Sequence, residues 1–255
     1  RDGRYAFRGT THQLPLSEPA RHNASHGLVR WLSWHLVEQA ADSLTMGVRL
    51  AAQTGYPWSL DLTVTYVLGP EGLHVTQAAT NLASEPAPYA SGAHPYLVAP
   101  PDENHGYNDC GHWELTQPAS TYLRVDSERK LPTGRGPIEE ILLDDGPDPI
   151  GSLSLDHAVT DLARDEQGRA HLYLRGSQGD GAGVGLWVDE HHRWLQLFTG
   201  EGTSRERTAL AAEPMTAPPD AFNSGEDLIV LEPGESFAAT WGIHSVARGE
   251  WDQPV

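Results

Sequence analysis

Ser59-Leu60-Asp61-Leu62-Thr63-Val64-Thr65-Tyr66-Val67-Leu68-Gly69-Pro70-Glu71-Gly72-Leu73-His74-Val75-Thr76-Gln77-Ala78 is the stretch from which the architecture is read. Leu60, Leu62, Val64, Tyr66 and Leu68 fall on one face of an extended chain, with Asp61, Thr63 and Thr65 on the other. That period of two belongs to a strand with one buried face. Gly69-Pro70-Glu71-Gly72 is turn chemistry, so the chain is expected to fold back on itself as an antiparallel hairpin.

The same pattern extends outward in both directions. Residues 28–38 and 43–51 read as a second antiparallel pair. Residues 170–175, 184–189 and 194–199 read as a meander whose first link is the Gly-rich run 176–183. Further strands are expected at 208–212, 227–231 and 236–245, with a single helical turn near 138–143. Many short strands with hairpin links predict a β-sandwich or barrel. The Pro-rich stretches 99–108 and 216–223 are too short for linkers and read as long loops, so one domain is expected across residues 1–255.

Composition narrows the function. Twenty-six Gly and 19 Pro favour turns over long helices, and the net charge of -18 repels phosphate backbones and anionic lipid. Nucleic acid and membrane surfaces are therefore poor partners. A single cysteine, Cys110, rules out an intrachain disulfide and fits a reducing cytoplasm, the expected location. No apolar run approaches the roughly 20 residues that cross a bilayer, and no secretory signal is visible. The chain begins Arg1-Asp2-Gly3-Arg4-Tyr5 without an initiator Met, so a preceding segment is expected to be missing.

Several residues could carry chemistry. His22-Asn23-Ala24-Ser25-His26-Gly27 spaces two imidazoles four apart, but Asn23, Ser25 and Gly27 favour a turn over the helix a metal pair would need. Loop imidazoles that bond a ligand hydroxyl fit better. His94, in Gly92-Ala93-His94-Pro95-Tyr96, is pushed toward an extended backbone by Pro95 and follows two small residues. It reads equally as a catalytic group or as a core histidine. Asp156 follows the alternating Ser152-Leu153-Ser154-Leu155 and could take sugar hydroxyls or cap a turn. Glu213 is expected to end the strand 208–212, fixed by Pro214, as a general base or an exposed strand-end acid. Cys110 beside His112 is no evidence of a dyad, the glycines of 176–185 join strand to strand and make no dinucleotide site, and His191-His192 reads as a hydrated hairpin tip.

Taken together, these segments resemble the aldose 1-epimerase (galactose mutarotase-like) family. The resemblance runs in order through residues 23–30, Gly55-Tyr56-Pro57, Ala79-Thr80-Asn81 leading into 92–96, Leu155-Asp156-His157, Glu213-Pro214-Met215 and residues 231–235. It implies a large antiparallel β-sandwich with few short helices and a sugar cleft on one sheet. It gives His94 the role of general acid and Glu213 that of general base, with His26, Asp156, Asn23 and Tyr96 as substrate contacts. No cofactor and no metal are implied; the partner is a small-molecule sugar. Leu97, Val98 and Val159 depart from the family's usual residues, and its sugar-contacting Arg would precede Arg1. The expected function is cofactor-independent interconversion of the α and β anomers of a free or modified hexose. A non-catalytic carbohydrate-binding or regulatory protein is the alternative, and a metal enzyme using His22 and His26 ranks last.

Overall fold

The computed structural model describes residues 1–99, 109–142, 148–176, 182–204 and 206–247. In chain order the strands are β1 (Arg4–Phe7), β2 (Thr10–Gln13), β3 (His35–Gln39), β4 (Ser43–Leu50), β5 (Leu60–Gly69), β6 (Gly72–Asn81) and β7 (Ala87–Tyr89). There follow β8 (Tyr96–Leu97), β9 (Glu114–Thr116), β10 (Ala119–Val125), β11 (Pro132–Pro137), β12 (Asp148–Pro149) and β13 (Asp156–Leu162). The last are β14 (Ala170–Arg175), β15 (Gly183–Val188), β16 (Trp194–Phe198), β17 (Leu210–Met215), β18 (Ile229–Leu231) and β19 (Ser236–Val246). The one α-helix among the described residues is the single turn α1 (Ala221–Ser224), and the turn expected near residue 138 is a 3-10 turn at Ile138–Glu140.

Two antiparallel sheets face each other. A six-stranded sheet runs β11-β10-β13-β16-β17-β8, and a nine-stranded sheet runs β12-β9-β14-β15-β19-β6-β5-β4-β3. Leu97, Val159, Leu195, Leu197, Leu210 and Ala212 of the first sheet meet Leu115, Leu172, Leu174, Leu186, Val188 and Trp241 of the second in the main core. Burying each such aliphatic side chain stabilises by about 1.5–3 kcal/mol. The sheets are unequal, so the β4–β6 end of the larger one needs other cover. A second core joins Val48, Leu50, Leu60 and Leu62 to Tyr5, Tyr56, Trp58, Tyr89 and Leu231, contributed by β1, the 56–58 loop and the short β7–β18 pair.

The opening antiparallel hairpin forms as expected, and its register runs from Leu60 opposite Asn81 to Gly69 opposite Gly72. Only the first half of its apolar face is covered. Leu60 is 1% exposed and Leu68 is 63%, because the strand runs past the end of the core into solvent.

Five expectations are corrected. Residues 28–34 form a loop, and β3 starts only at His35. Gly27 sits at φ 68° and Leu32 N–H donates to Val29 O, so this stretch turns instead of extending. Leu28, Val29 and Trp34 pack on the second core from that loop. The meander divides: β14 and β15 lie in the nine-stranded sheet, whereas β16 lies in the other. The turn between β15 and β16 crosses from sheet to sheet, and His192 within it is fully buried, its Nδ1 2.9 Å from Asp189 Oδ1. Arg164 ties the turn down through the carbonyls of Asp189 and His192. A period of two gives burial but not sheet membership, so the link is no hairpin, and the hydrated reading fails for His192 although His191 is exposed. Residues 152–155 are irregular, and β13 begins at Asp156. Glu213 lies inside β17 and does not end it. Residues 100–108 of the first Pro-rich loop and 177–181 of the Gly-rich link lie outside the described residues.

Candidate active site

The candidate residues collect on the outer face of the six-stranded sheet. Register decides this: Glu213 pairs with Gln196, Gln196 with Ala158, and Asp156 with Phe198, so Glu213, Gln196 and Asp156 share one face. Tyr96 joins it opposite Ala211. The neighbours Ala212, Leu195 and Leu197 point the other way, into the core. A strand cannot turn Leu197 inward without turning Gln196 outward.

His94 reaches Glu213 because residues 91–97 run alongside β17. Ser91 and Thr216 exchange backbone bonds through the Thr216 N–H and hydroxyl, and Ala93 N–H donates to Pro214 O at 3.0 Å. Pro214 fits there because β8 pairs only with Leu210 and Ala211, so no partner calls on the N–H that proline lacks. A Cβ on Gly92 would stand 3.3 Å from Pro214 O, so the small residue serves close backbone approach. Gln77 of the nine-stranded sheet donates to Gly92 O and accepts from Trp241, anchoring the segment from below. The result sets His94 Nε2 3.1 Å from Glu213 Oε1, across 119 residues of chain (213 less 94).

Burial of the two groups differs. The Glu213 side chain is 13% exposed and that of His94 34%. Burial pushes the Glu213 carboxyl up to about 8, with the charge of Asp156 acting in the same direction. Burial holds the His94 imidazole below its usual value, helped by His26 and the Arg30 cation. Both shifts disfavour charge, so between the lowered His94 value and about 8 the pair carries one proton.

The remaining contacts surround this pair. His26, at φ 60° in the turn before Gly27, lies with its ring 6.1 Å from that of His94. Its imidazole is also held low, by burial first and by Arg30 second. The Tyr96 ring lies 4.9 Å from that of His94, tilted by 30°. Asp156 accepts from Gln196 Nε2 at 2.9 Å and pairs with Lys130 Nζ at 3.0 Å. Trp31, 82% exposed, carries the Arg30 guanidinium over its ring at 4.6 Å beside the His26 loop.

Asn23 takes a different part from the one expected. It is fully buried, with Nδ2 donating to Arg129 O, so it is not offered to a ligand and instead fastens the loop that carries His26. His22 pairs with Asp2 and leaves His26 to act without it. Trp58 is 6% exposed and belongs to the second core. Cys110 is buried and its thiol is pushed up to about 11 by desolvation, which makes it a poor nucleophile. Two residues were missed from sequence. Gln196 had a readable signal, the polar position between Leu195 and Leu197 in a strand otherwise buried on its inner face. Lys130 had none, since its approach to Asp156 depends on the β10–β11 hairpin pairing beside β13.

A carboxylate of raised proton affinity beside an imidazole, flanked by polar side chains on the outer sheet face, can move protons to and from two oxygens of one polyhydroxylated ring. Comparisons with known proteins establish the family and the fold. A family model described as aldose 1-epimerase matches residues 1–244. The protein YihR of Escherichia coli K12 is 33% identical over 247 residues, covering 95% of this chain and 74% of that protein. A galactose mutarotase-like protein from Clostridium acetobutylicum superposes with a TM-score of 0.82 at 18% identity, over 96% of this chain and 76% of that one. Galactose 1-epimerase from Lactobacillus acidophilus does so with a TM-score of 0.75 at 20% identity, over 96% and 76%. At those identities the solved structures establish a shared fold, and the family match rests on the sequence: this chain belongs to the aldose 1-epimerase family.

Proposed function

We propose that the protein interconverts the α and β anomers of a free hexose or modified hexose. The observation that carries this reading is the His94–Glu213 pair, 3.1 Å apart on the outer face of the six-stranded sheet with Asp156 on the same face. In the productive form the pair's single proton sits on His94. Glu213 then takes the proton of the anomeric hydroxyl while His94 protonates the ring oxygen, and the carbon–oxygen bond of the ring breaks to give the open aldehyde. Rotation about the first carbon–carbon bond presents the other carbonyl face. Ring closure runs the transfers in reverse: the hydroxyl that became the ring oxygen returns its proton to His94, and Glu213 gives its proton back to the new anomeric oxygen. Atoms and protons balance with no external reactant.

The shifted proton affinities suit this exchange. A carboxylate held near 8 is a stronger base than an ordinary one, and an imidazolium held low is a stronger acid. The rate is expected to fall on the acid side through the lowered His94 value, where both groups are protonated. It falls on the alkaline side through about 8, where the shared proton is lost. His26, Asp156 and Gln196 would hold sugar hydroxyls, and Tyr96 would flank the ring.

Polarimetry or NMR of freshly dissolved α-glucose, α-galactose and further aldoses tests the reading with wild type, His94→Asn and Glu213→Gln. Acceleration by the wild type, reduced roughly 10²–10⁴-fold by either substitution, is the expected result. Sugar binding without acceleration for any aldose would convert the reading to a carbohydrate-binding protein.

A further inference from the structure

We infer that Lys130, which no motif marks, is a positioning residue of this site: it orients Asp156 and offsets part of the negative charge that this carboxylate presents to Glu213. The inference rests on the proposed anomer exchange for its kinetic consequence, but its electrostatic claim concerns the protein alone.

The geometry begins in the β10–β11 turn. Asp126 organises it, with Oδ1 accepting from the N–H groups of Glu128 and Arg129 and Oδ2 accepting from that of Leu131. These bonds hold the Asp126 carboxyl below its usual range, so the turn is braced by a stable charge. Lys130 sits at φ 57°, and its N–H is tied to Asp126 O. Two successive cations therefore leave a rigid turn. Arg129 lies against the N-terminal segment, bonding Asp2 and the carbonyls of Arg21 and His22, while its own carbonyl receives Asn23. Lys130 lies against the sheet face, 3.0 Å from Asp156 Oδ2. One turn thus joins the loop bearing His26 to the strand bearing Asp156.

Asp156 is held at both oxygens, by Lys130 on one and Gln196 on the other. The Lys130 and Asp156 side chains are 27% and 32% exposed, and a pair so accessible adds little to folding. Its consequence lies with the neighbour. The charged groups around Glu213 are His94 in contact, His26 and Arg30 beyond it, and Asp156, His157 and Lys130 on the β13 side. Of these, Asp156 is the one that raises the proton affinity of Glu213. Removing Lys130 leaves that charge uncompensated. Glu213 then binds its proton more tightly, and the alkaline limb of activity moves to higher pH.

The test compares wild type, Lys130→Met, Lys130→Arg, Asp156→Asn and the Lys130→Met/Asp156→Asn double variant. Methionine meets the same backbone demand at φ 57° as lysine, and circular dichroism checks that each variant folds. The readouts are the Glu213 carboxyl titration by ¹³C NMR and the pH profile of kcat/KM. Lys130→Met is expected to raise the Glu213 midpoint above that of wild type and to move the alkaline limb with it. Lys130→Arg restores both, and adding Asp156→Asn to Lys130→Met brings the midpoint back down, because the carboxylate left uncompensated is gone. An unchanged midpoint in Lys130→Met, a failure of Arg to restore it, or a raised midpoint in Lys130→Met that Asp156→Asn does not lower overturns the inference. If the wild type accelerates no sugar's anomerisation, the proposed function falls, and the NMR midpoints alone uphold or overturn the role of Lys130.

Discussion

The two faces of the six-stranded sheet are made by the same strands and do opposite things. Toward the nine-stranded sheet they present Leu195, Leu197, Leu210 and Ala212, each 1% exposed or less. Away from it, one residue along each strand, stand Gln196, Glu213 and Asp156. The inner face lowers the free energy of the fold. The outer face holds a carboxyl whose ionisation is opposed by its surroundings, which costs stability at neutral pH and supplies a base of raised strength. Even the outer face is not uniform: at one end Leu123, Ala158 and Trp194 make a small dry cluster with Met215, and that end carries no candidate catalytic group.

Glu213→Gln tests the contrast most sharply, because activity and stability should move in opposite directions. Beyond its roughly 10²–10⁴-fold loss of activity, it should melt at higher temperature than wild type. The folded carboxyl titrates near 8 against an ordinary 4.5, so the native state keeps a proton that the unfolded chain releases. Its stabilising contribution is complete below about 4.5 and is lost as pH rises through about 8. The Tm advantage of the amide should grow across that window and level off above it; an advantage independent of pH would break the comparison.

Leu197→Ala is the inner-face counterpart. A cavity under a fully buried leucine should cost about 2–5 kcal/mol in denaturant unfolding while the pH limits of the surviving activity stay put. Movement of those limits would mean that the two faces are coupled. The smallest effect is expected at the dry end of the outer face. Trp194 is fully buried beneath the Arg135 guanidinium and donates through Nε1 to Asp227 at 2.8 Å. Trp194→Phe removes that donor and should cost about 1–3 kcal/mol with the anomerisation rate per folded molecule unchanged.

The hairpin of residues 60–81 was legible because alternation and a Gly-Pro-Glu-Gly turn are local signals, and the two strands pair antiparallel around that turn. The outer-face residues Asp156, Glu213 and Tyr96 were legible through the family resemblance, and His94 with them. The errors share a cause. Residues 28–34 have strand-like composition, yet a left-handed Gly27 and packing on the second core made them a loop. His191-His192 looks polar enough for solvent, yet the crossing between sheets buried His192 against Asp189. Asn23 shares a motif with His26, yet it lies under the loop and bonds Arg129.

Sequence by itself determined what neighbours along the chain can settle: which residues alternate, where turns fall, that strands dominate, and which residue types could transfer protons. Tertiary structure decided what depends on segments far apart: the assignment of β16 to the smaller sheet, the docking of residues 91–97 on β17 that brings His94 to Glu213, and the arrival of Lys130 at Asp156. The physical reason is that side-chain direction follows from a strand's own geometry, whereas strand partners and the electrostatic surroundings of a carboxyl are set by which distant surfaces bury each other.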